Sequence, residues 1–293
     1  MPTIDNRIIE ALRRQQFVTE YIIYPFSDIK NYQIKLTNVP SFSKEDVLVV
    51  FNRMILPHWV ESKGSVWTKI PNLKKNTPLK IYTLTGNPSA ISASNGTNTF
   101  DFFDDYSNNL NKWQTPIGSP AIISGRLRIV GSSAWDANGI TTTTKYYAPL
   151  IIEWKEENTI TNSESISGWK EENSRLNGFL GLYQSLVNSD QRLYDELSSP
   201  NMYGSVAQTT NNNFYRLTIR AGNNVKLEVN STVIYDGTTS SGVSNVYHRI
   251  GFEKYSGTSY YDDVRIRKYA SPEPIIKKVR TLNKSLLLKE LMR

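Results

Sequence analysis

Residues 214–237 read FYRLTIRAGNNVKLEVNSTVIYDG. Apolar and polar side chains alternate through three short runs, the two-residue period of a strand with one buried face. AGNN at 221–224 and NS at 230–231 join the runs, and connections this short force antiparallel neighbours. A meander is therefore predicted here, and the same pattern recurs on both sides of it. IISGRLRIV (122–130), PLIIEWKE (149–156), GFLGLYQSLV (178–187), RIGFEKY (249–255) and YYDDVRIRKY (260–269) all read as strands. Together they predict a two-sheet jelly roll over residues 94–271. Two polar stretches between them, 157–177 and 188–201, read as long loops, where ligand contacts usually sit.

Moving outward, FVTEYIIYPF (17–26), YQIKLTNV (32–39), DVLVVF (46–51), HWVES (58–62), SVWTKIP (65–71) and LKIYTLT (79–85) are short, β-branched runs bounded by turn formers. They predict a small antiparallel β-sandwich over 20–93, and GNPSAISASNGTN (86–98) is the linker candidate. Residues 1–19 are expected to hold a short docking helix, with Ile8, Ile9 and Leu12 on one face and Arg13 and Arg14 opposite. At the other end, SPEP (271–274) closes the last strand. Ile275, Val279, Leu282, Leu286 and Leu287 then recur at helical spacing, so 272–293 is predicted to be a basic amphipathic helix. The fold class is thus all-β, a small sandwich followed by a jelly roll, with short helices at both termini.

The chain has 293 residues and a formal net charge of +7. Lys277, Lys278, Arg280, Lys284, Lys289 and Arg293 stand against Glu290 alone, so most of the excess belongs to the tail and the body is nearly balanced. That distribution, and a tail with no aromatic rings to stack on bases, argues against nucleic acid as a partner. The apolar positions Ile8, Ile9, Leu12, Val279, Leu282, Leu286 and Leu287 instead suggest docking onto another copy or another assembly protein. Folding back on the chain's own domain and binding an anionic surface are the alternatives. There is no cysteine and only two histidines, His58 and His248, which excludes thiol catalysis and a histidine-rich metal centre. No apolar run reaches the length of a membrane span. MPTIDNRIIEALRRQQ carries charges where a secretory leader needs an apolar run, so no recognisable signal peptide is expected.

Trp59, Glu61, Trp67, Pro71, Gly86, Asn87, Pro88, Asn95, Gly96 and Phe100 stand in an order that resembles an uncharacterised β-domain family. That family occurs in archaeal and bacterial surface proteins and in some viral proteins, commonly before a concanavalin A-like (LamG-like) jelly roll. Leu84 and Thr85 depart from its usual aromatic pair. FDFFDDYSNNLNKW (100–113), the meander and YYDDVRIRKYASPEP (260–274) resemble the concanavalin A-like lectin/glucanase superfamily. The second resemblance implies a fold and no single activity, since that fold hosts lectins, hydrolases and structural modules.

Asp101, Asp104 and Asp105 read as turn-capping carboxylates on the first jelly-roll strand, with a structural calcium as the alternative. Glu153, Glu156, Glu157, Asp262 and Asp263 lack the closely alternating spacing that a jelly-roll glucanase needs. Trp135, Trp169, Tyr146 and Tyr147 are the candidates for stacking on sugar rings. Asn95, Asn230 and Asn283 open glycosylation sequons. The expected function is a non-enzymatic structural and binding protein, a spike, fibre or capsid-associated component at a virion or extracellular surface. Its lectin-like domain would face host surface glycans. A jelly-roll glycoside hydrolase and a secreted carbohydrate-binding protein are the rival readings.

Overall fold

The computed structural model describes residues 6–14, 17–40, 46–62, 64–87, 91–114, 116–170, 178–197, 200–240 and 247–282. Among these, Asn6–Arg14 and Gly96–Thr99 are helical and every other regular element is a β-strand. Two compact units form: Met1–Asp101 with Ala270–Arg293, and Phe102–Tyr269.

The first unit is a sandwich. One sheet has the strand order Ile275–Leu282, Phe17–Tyr24, Leu79–Thr85, Leu48–Phe51, Met54–Ile55. The other runs Ile29–Thr37, Ser65–Leu73, His58–Ser62. Alternation sends Tyr21, Ile23, Val49 and Ile81 inward from the larger sheet, against Tyr32, Ile34, Leu36, Val66 and Ile70 from the smaller. His58 is buried between the carbonyls of Leu56 and Val47 (3.0 and 2.9 Å), and burial lowers its pKa, so it is structural. Phe100 packs edge-on against Trp59 and Trp67, at 5.7 and 5.5 Å between ring centroids. Asn95 caps the Gly96–Thr99 turn through Asn98 N at 2.9 Å, and its own N–H reaches His58 O at 2.7 Å. These contacts fasten 94–101, predicted to open the jelly roll, to the first unit.

The tail is a strand, not the predicted helix, over Ile275–Leu282. It pairs antiparallel with Phe17–Tyr24, from Tyr24↔Ile275 to Val18↔Leu282. Two demands favour this: the backbone edge of Phe17–Tyr24 needs partners, and Glu20 is a carboxylate only 2% exposed. Arg280 and Lys80 meet it at 2.9 and 3.3 Å. Much of the tail's charge is therefore used locally, with Lys278 donating to Asn38 O at 2.8 Å and Lys277 lying over the Tyr24 ring. Leu286 and Leu287 lie outside the described residues, as does the side chain of Leu282, while Val279 is exposed. The amino-terminal helix forms where predicted. Its Ile8, however, is fully buried against Val18, Val50, Tyr82 and Leu84 of its own unit, so it is already covered and is not a subunit-docking residue. Ile9 is half-buried, and the side chain of Leu12 is outside the described set.

The second unit is the jelly roll. Its larger sheet orders Thr232–Thr238, Asn224–Val229, Asn212–Ile219, Leu150–Asn158, Thr258–Lys268, Arg126–Val130, Ala121–Ile123, with Phe102–Asp104 also paired to Thr258–Lys268. The facing sheet orders Gly139–Thr141, Tyr247–Ser256, Glu164–Lys170, Phe179–Gln184, Asp190–Asp195, Asn201–Ala207, with Tyr146–Tyr147 beside Tyr247–Ser256. Trp154 stacks on Tyr215 (5.4 Å) and Phe252 on Tyr261 (4.4 Å), and Trp154 and Phe252 meet across the sheets at 6.2 Å. Glu164–Lys170 and Asp190–Asp195 are thus central strands where loops were predicted. In the first, the inward positions Ser165 and Ser167 carry no apolar signal, because their hydroxyls meet the buried Glu156 at 3.5 and 3.3 Å. Burial pushes that carboxyl up, and it brings Lys254 down to about 8.

Candidate functional site

The outward face of the Gly139–Thr141 to Asn201–Ala207 sheet carries a cavity of about 320 Å³. Strand alternation builds it. Leu180, Leu182, Leu193, Phe252 and Trp169 point into the core, so Tyr183, Tyr194, Glu253 and Ile166 point away from it. Register aligns Glu253, Ile166 and Tyr183 in one cross-strand row. The next row is Gly251, Gly168, Gly181, Tyr194 and Met202. A Cβ on Gly181 would stand 2.2 Å from Ser167 O, so glycine is required for this close strand approach. Tyr183, Tyr194, Ile166, Glu253, Met202, Glu164, Glu196 and Trp135 line the cavity.

Trp135 arrives on the loop between Arg126–Val130 and Gly139–Thr141. The loop is pinned by Ser133 N to Tyr255 O at 2.7 Å, by Lys254 N to Asn138 O at 3.0 Å, and by Asp136 N to the Glu253 carboxylate. The indole packs on Tyr255 at 5.2 Å, and Tyr183 and Tyr194 pack at 5.6 Å. Glu253 also receives Lys170 Nζ at 3.3 Å. Burial raises the pKa of Glu253, and Lys170 opposes the rise. Burial raises Glu196 too, opposed by its hydrogen bond with Tyr194 and reinforced by the charge of Glu253. Tyr194 is pushed up to about 12 by burial and then by Glu196. The Tyr183 hydroxyl donates to Glu164 and is also raised, first by burial. The site therefore presents apolar ring faces beside carboxylate oxygens.

Of the four sugar-stacking candidates, Trp135 lies in the cavity. Trp169 does not: it is fully buried, edge-on to His248 at 5.3 Å, because its strand turns Ser165, Ser167 and Trp169 inward together. Burial lowers His248 to about 4, which suits a core histidine. Tyr146 is half-buried, 6.0 Å from Phe102, and Tyr147 is exposed; neither lines the cavity. Asp104 accepts from Tyr106 N (2.9 Å) and Trp113 Nε1 (2.7 Å), Asp105 from Ser107 N (3.2 Å) and Asp101 from Gln33 Nε2 (3.1 Å). Asp104 and Asp105 thus accept from backbone N–H groups two residues on, whereas Asp101 meets a side chain of a distant strand. Among the described residues no three His, Asp or Glu side chains come together as a metal-ligand group.

Glu153 is fully buried among Arg265 (2.7 Å), Arg216 (2.8 Å) and Arg267 (3.4 Å), and Glu157 pairs with Arg126 at 2.6 Å. Neither is available as half of an acid pair. Asn230 is exposed, but its amide is engaged with Phe214 N and Asn213 Oδ1 (2.9 and 2.8 Å), whereas Asn95 is exposed at its cap; Asn283 lies outside the described residues. Sequence reasoning missed Tyr183, Tyr194, Glu164, Glu196 and Glu253. GFLGLYQ held a usable signal, since Leu180 and Leu182 facing inward require Tyr183 to face out.

A domain of unknown function, DUF2341, matches residues 45–116, which hold the Trp59-to-Phe100 motif. No curated protein matches the chain. Solved structures resemble it at low identity. One comes from work on endo-acting O-glycanases that human gut microbiota express to initiate mucin breakdown: 8% identity, 58% of this chain, 100% of that chain, TM-score 0.47. Another is the carbohydrate-binding module CBM66 from Bacillus subtilis: 11% identity, 55% of this chain, 98% of that chain, TM-score 0.44. A third is a protein of unknown function with a galectin-like fold, also from Bacillus subtilis: 10% identity, 58% of this chain, 96% of that chain, TM-score 0.47.

Proposed function

We propose that the chain is a non-enzymatic glycan-binding protein whose jelly roll holds saccharide in the Trp135–Tyr183–Tyr194 cavity. The carrying observation is the pairing of ring faces with carboxylate acceptors in one concavity. A sugar ring offers C–H groups to the first and hydroxyl donors to the second. A glycan array followed by calorimetry tests it. Trp135→Ala and Tyr194→Ala should each weaken the best ligand about tenfold or more with the melting temperature unchanged. Undiminished binding in both variants would remove the reading.

Such a module suits a virion or other surface assembly built from copies of the chain or from neighbouring proteins. Ile275 and Val279 on the edge strand Ile275–Leu282 are 48% and 46% exposed, which gives copies an apolar edge to meet on. Native mass spectrometry showing only monomer at high concentration would count against assembly.

One observation favours hydrolysis as a second reading. Glu196 and Glu253 line the same cavity with raised pKa values, as a general acid requires. Release of reducing ends from a bound glycan, abolished in Glu196→Gln and Glu253→Gln, would replace the non-enzymatic reading.

A further inference from the structure

The charge lining the cavity differs from that of the molecule. The whole chain carries +7, yet among the described residues Glu164, Glu196 and Glu253 all line the cavity and no lysine or arginine does. Asp136, beside Glu253, adds to the negative side. The cations that act on these groups are already engaged. Lys170 meets Glu253 at 3.3 Å and is the cation that also acts on Glu196. Lys254 acts on Glu164 from the core, where it is shared with Glu156. Of the arginines on the same outward face, Arg192 is paired with Asp190 at 2.6 Å, and Arg249 donates to the carbonyls of Thr142 and Thr143. Negative charge is left over in a partly buried place.

That excess selects among ligands. A neutral ring laid over the cavity strips water from the carboxylates and returns only hydroxyl hydrogen bonds. A ring carrying an ammonium group returns hydrogen bonds in which both partners are charged, and it also offsets the excess charge of the carboxylates. Tyr183, Tyr194 and Trp135 add ring faces that attract a cation. We infer that the cavity selects glycans bearing a free, protonated amine, amino-sugar units that are not N-acetylated, over neutral ones. This rests on the glycan-binding reading above and narrows its ligand class.

The test titrates the full chain with three probes: oligomers of glucosamine, the same oligomers N-acetylated, and oligomers of glucose. It is run at a pH where the sugar amine is protonated. The free amine should bind about tenfold tighter than either neutral probe. That margin should shrink in about 0.5 M sodium chloride. Glu196→Gln should shrink it too, by weakening the free-amine probe more than the neutral ones. Equal or tighter binding of the acetylated or glucose probe, still sensitive to Tyr194→Ala, overturns the amine preference and leaves the glycan site standing. Binding of all three probes that neither Trp135→Ala nor Tyr194→Ala changes overturns the site itself, and the amine preference with it.

Discussion

Glu153 remains an anion with no exposure because three guanidiniums surround it. Burial works to raise its pKa, but Arg265, Arg267 and Arg216 together hold it far below the usual carboxylate range. A depressed folded-state pKa contributes stability above the unfolded value, and that stability is lost as pH falls toward the folded one. Asp262 has the opposite sign. Burial and the neighbouring Asp263 raise it from 3.8 to about 6. Its stabilising form is the protonated one, complete below 3.8 and lost as pH rises through about 6. Asp262→Asn should therefore gain about 1–2 kcal/mol over the natural protein at alkaline pH, allowing for solvent screening, and gain nothing near pH 4. Urea melts across that range read the difference. Glu153→Gln should lose on the order of 3–5 kcal/mol at neutral pH, by leaving Arg265 buried without its carboxylate. Both residues looked alike in sequence, as strand acids. The environment of Glu153 comes from Arg216, Arg265 and Arg267 on neighbouring strands, which no local pattern reports, whereas the charge beside Asp262 is that of Asp263, its neighbour in the sequence. Trp135 was legible for the converse reason: a large ring in a polar loop has few local partners.

At the scale of elements, regular alternation carried most of the prediction, and it failed where a strand's chemistry hid its period. Glu164–Lys170 buries Ser165 and Ser167 against Glu156 and so resembles a loop. Ile275–Leu282 is an edge strand in which Ile275, Val279 and Leu282 stand four and three apart in sequence, which mimics one face of a helix. Its partner lies some 250 residues earlier, at Phe17–Tyr24, and pairing over that separation leaves no trace in a short window. The pairing itself is open to measurement. Phe17–Tyr24 lies between Ile275–Leu282 and Leu79–Thr85, so its amides point alternately to each. In a chain ending at Pro274, hydrogen exchange should accelerate at the amides facing the lost strand and stay slow at those facing Leu79–Thr85. Uniform protection across Phe17–Tyr24 would mean that the terminal strand is dispensable.

At the scale of the molecule, both fold types were legible but the chain's division was not. The sequence pattern places a sandwich, a jelly roll and a tail in series; in the fold Met1–Asp101 and Ala270–Arg293 make one unit, with Phe102–Tyr269 inserted between them in the chain. The two units should then depend differently on chain continuity. Phe102–Tyr269 owns both of its sheets and the core between them, Trp154, Tyr215 and Tyr261 against Phe252 included. Expressed alone, it should melt cooperatively and, on the glycan-binding proposal, bind the array's best ligand as the full chain does. Met1–Asp101 alone lacks an edge strand, the counter-ion Arg280 for buried Glu20, and the packing of Ala270 and Ile276. A buried carboxylate stripped of one partner and an open sheet edge both favour the unfolded or aggregated chain. That fragment should show a broad, early melt, and a peptide spanning 270–293 added in trans should sharpen it and raise the midpoint in proportion to the logarithm of peptide concentration. A sharp melt without the peptide, unmoved by its addition, would show that the two ends share a sheet without sharing stability.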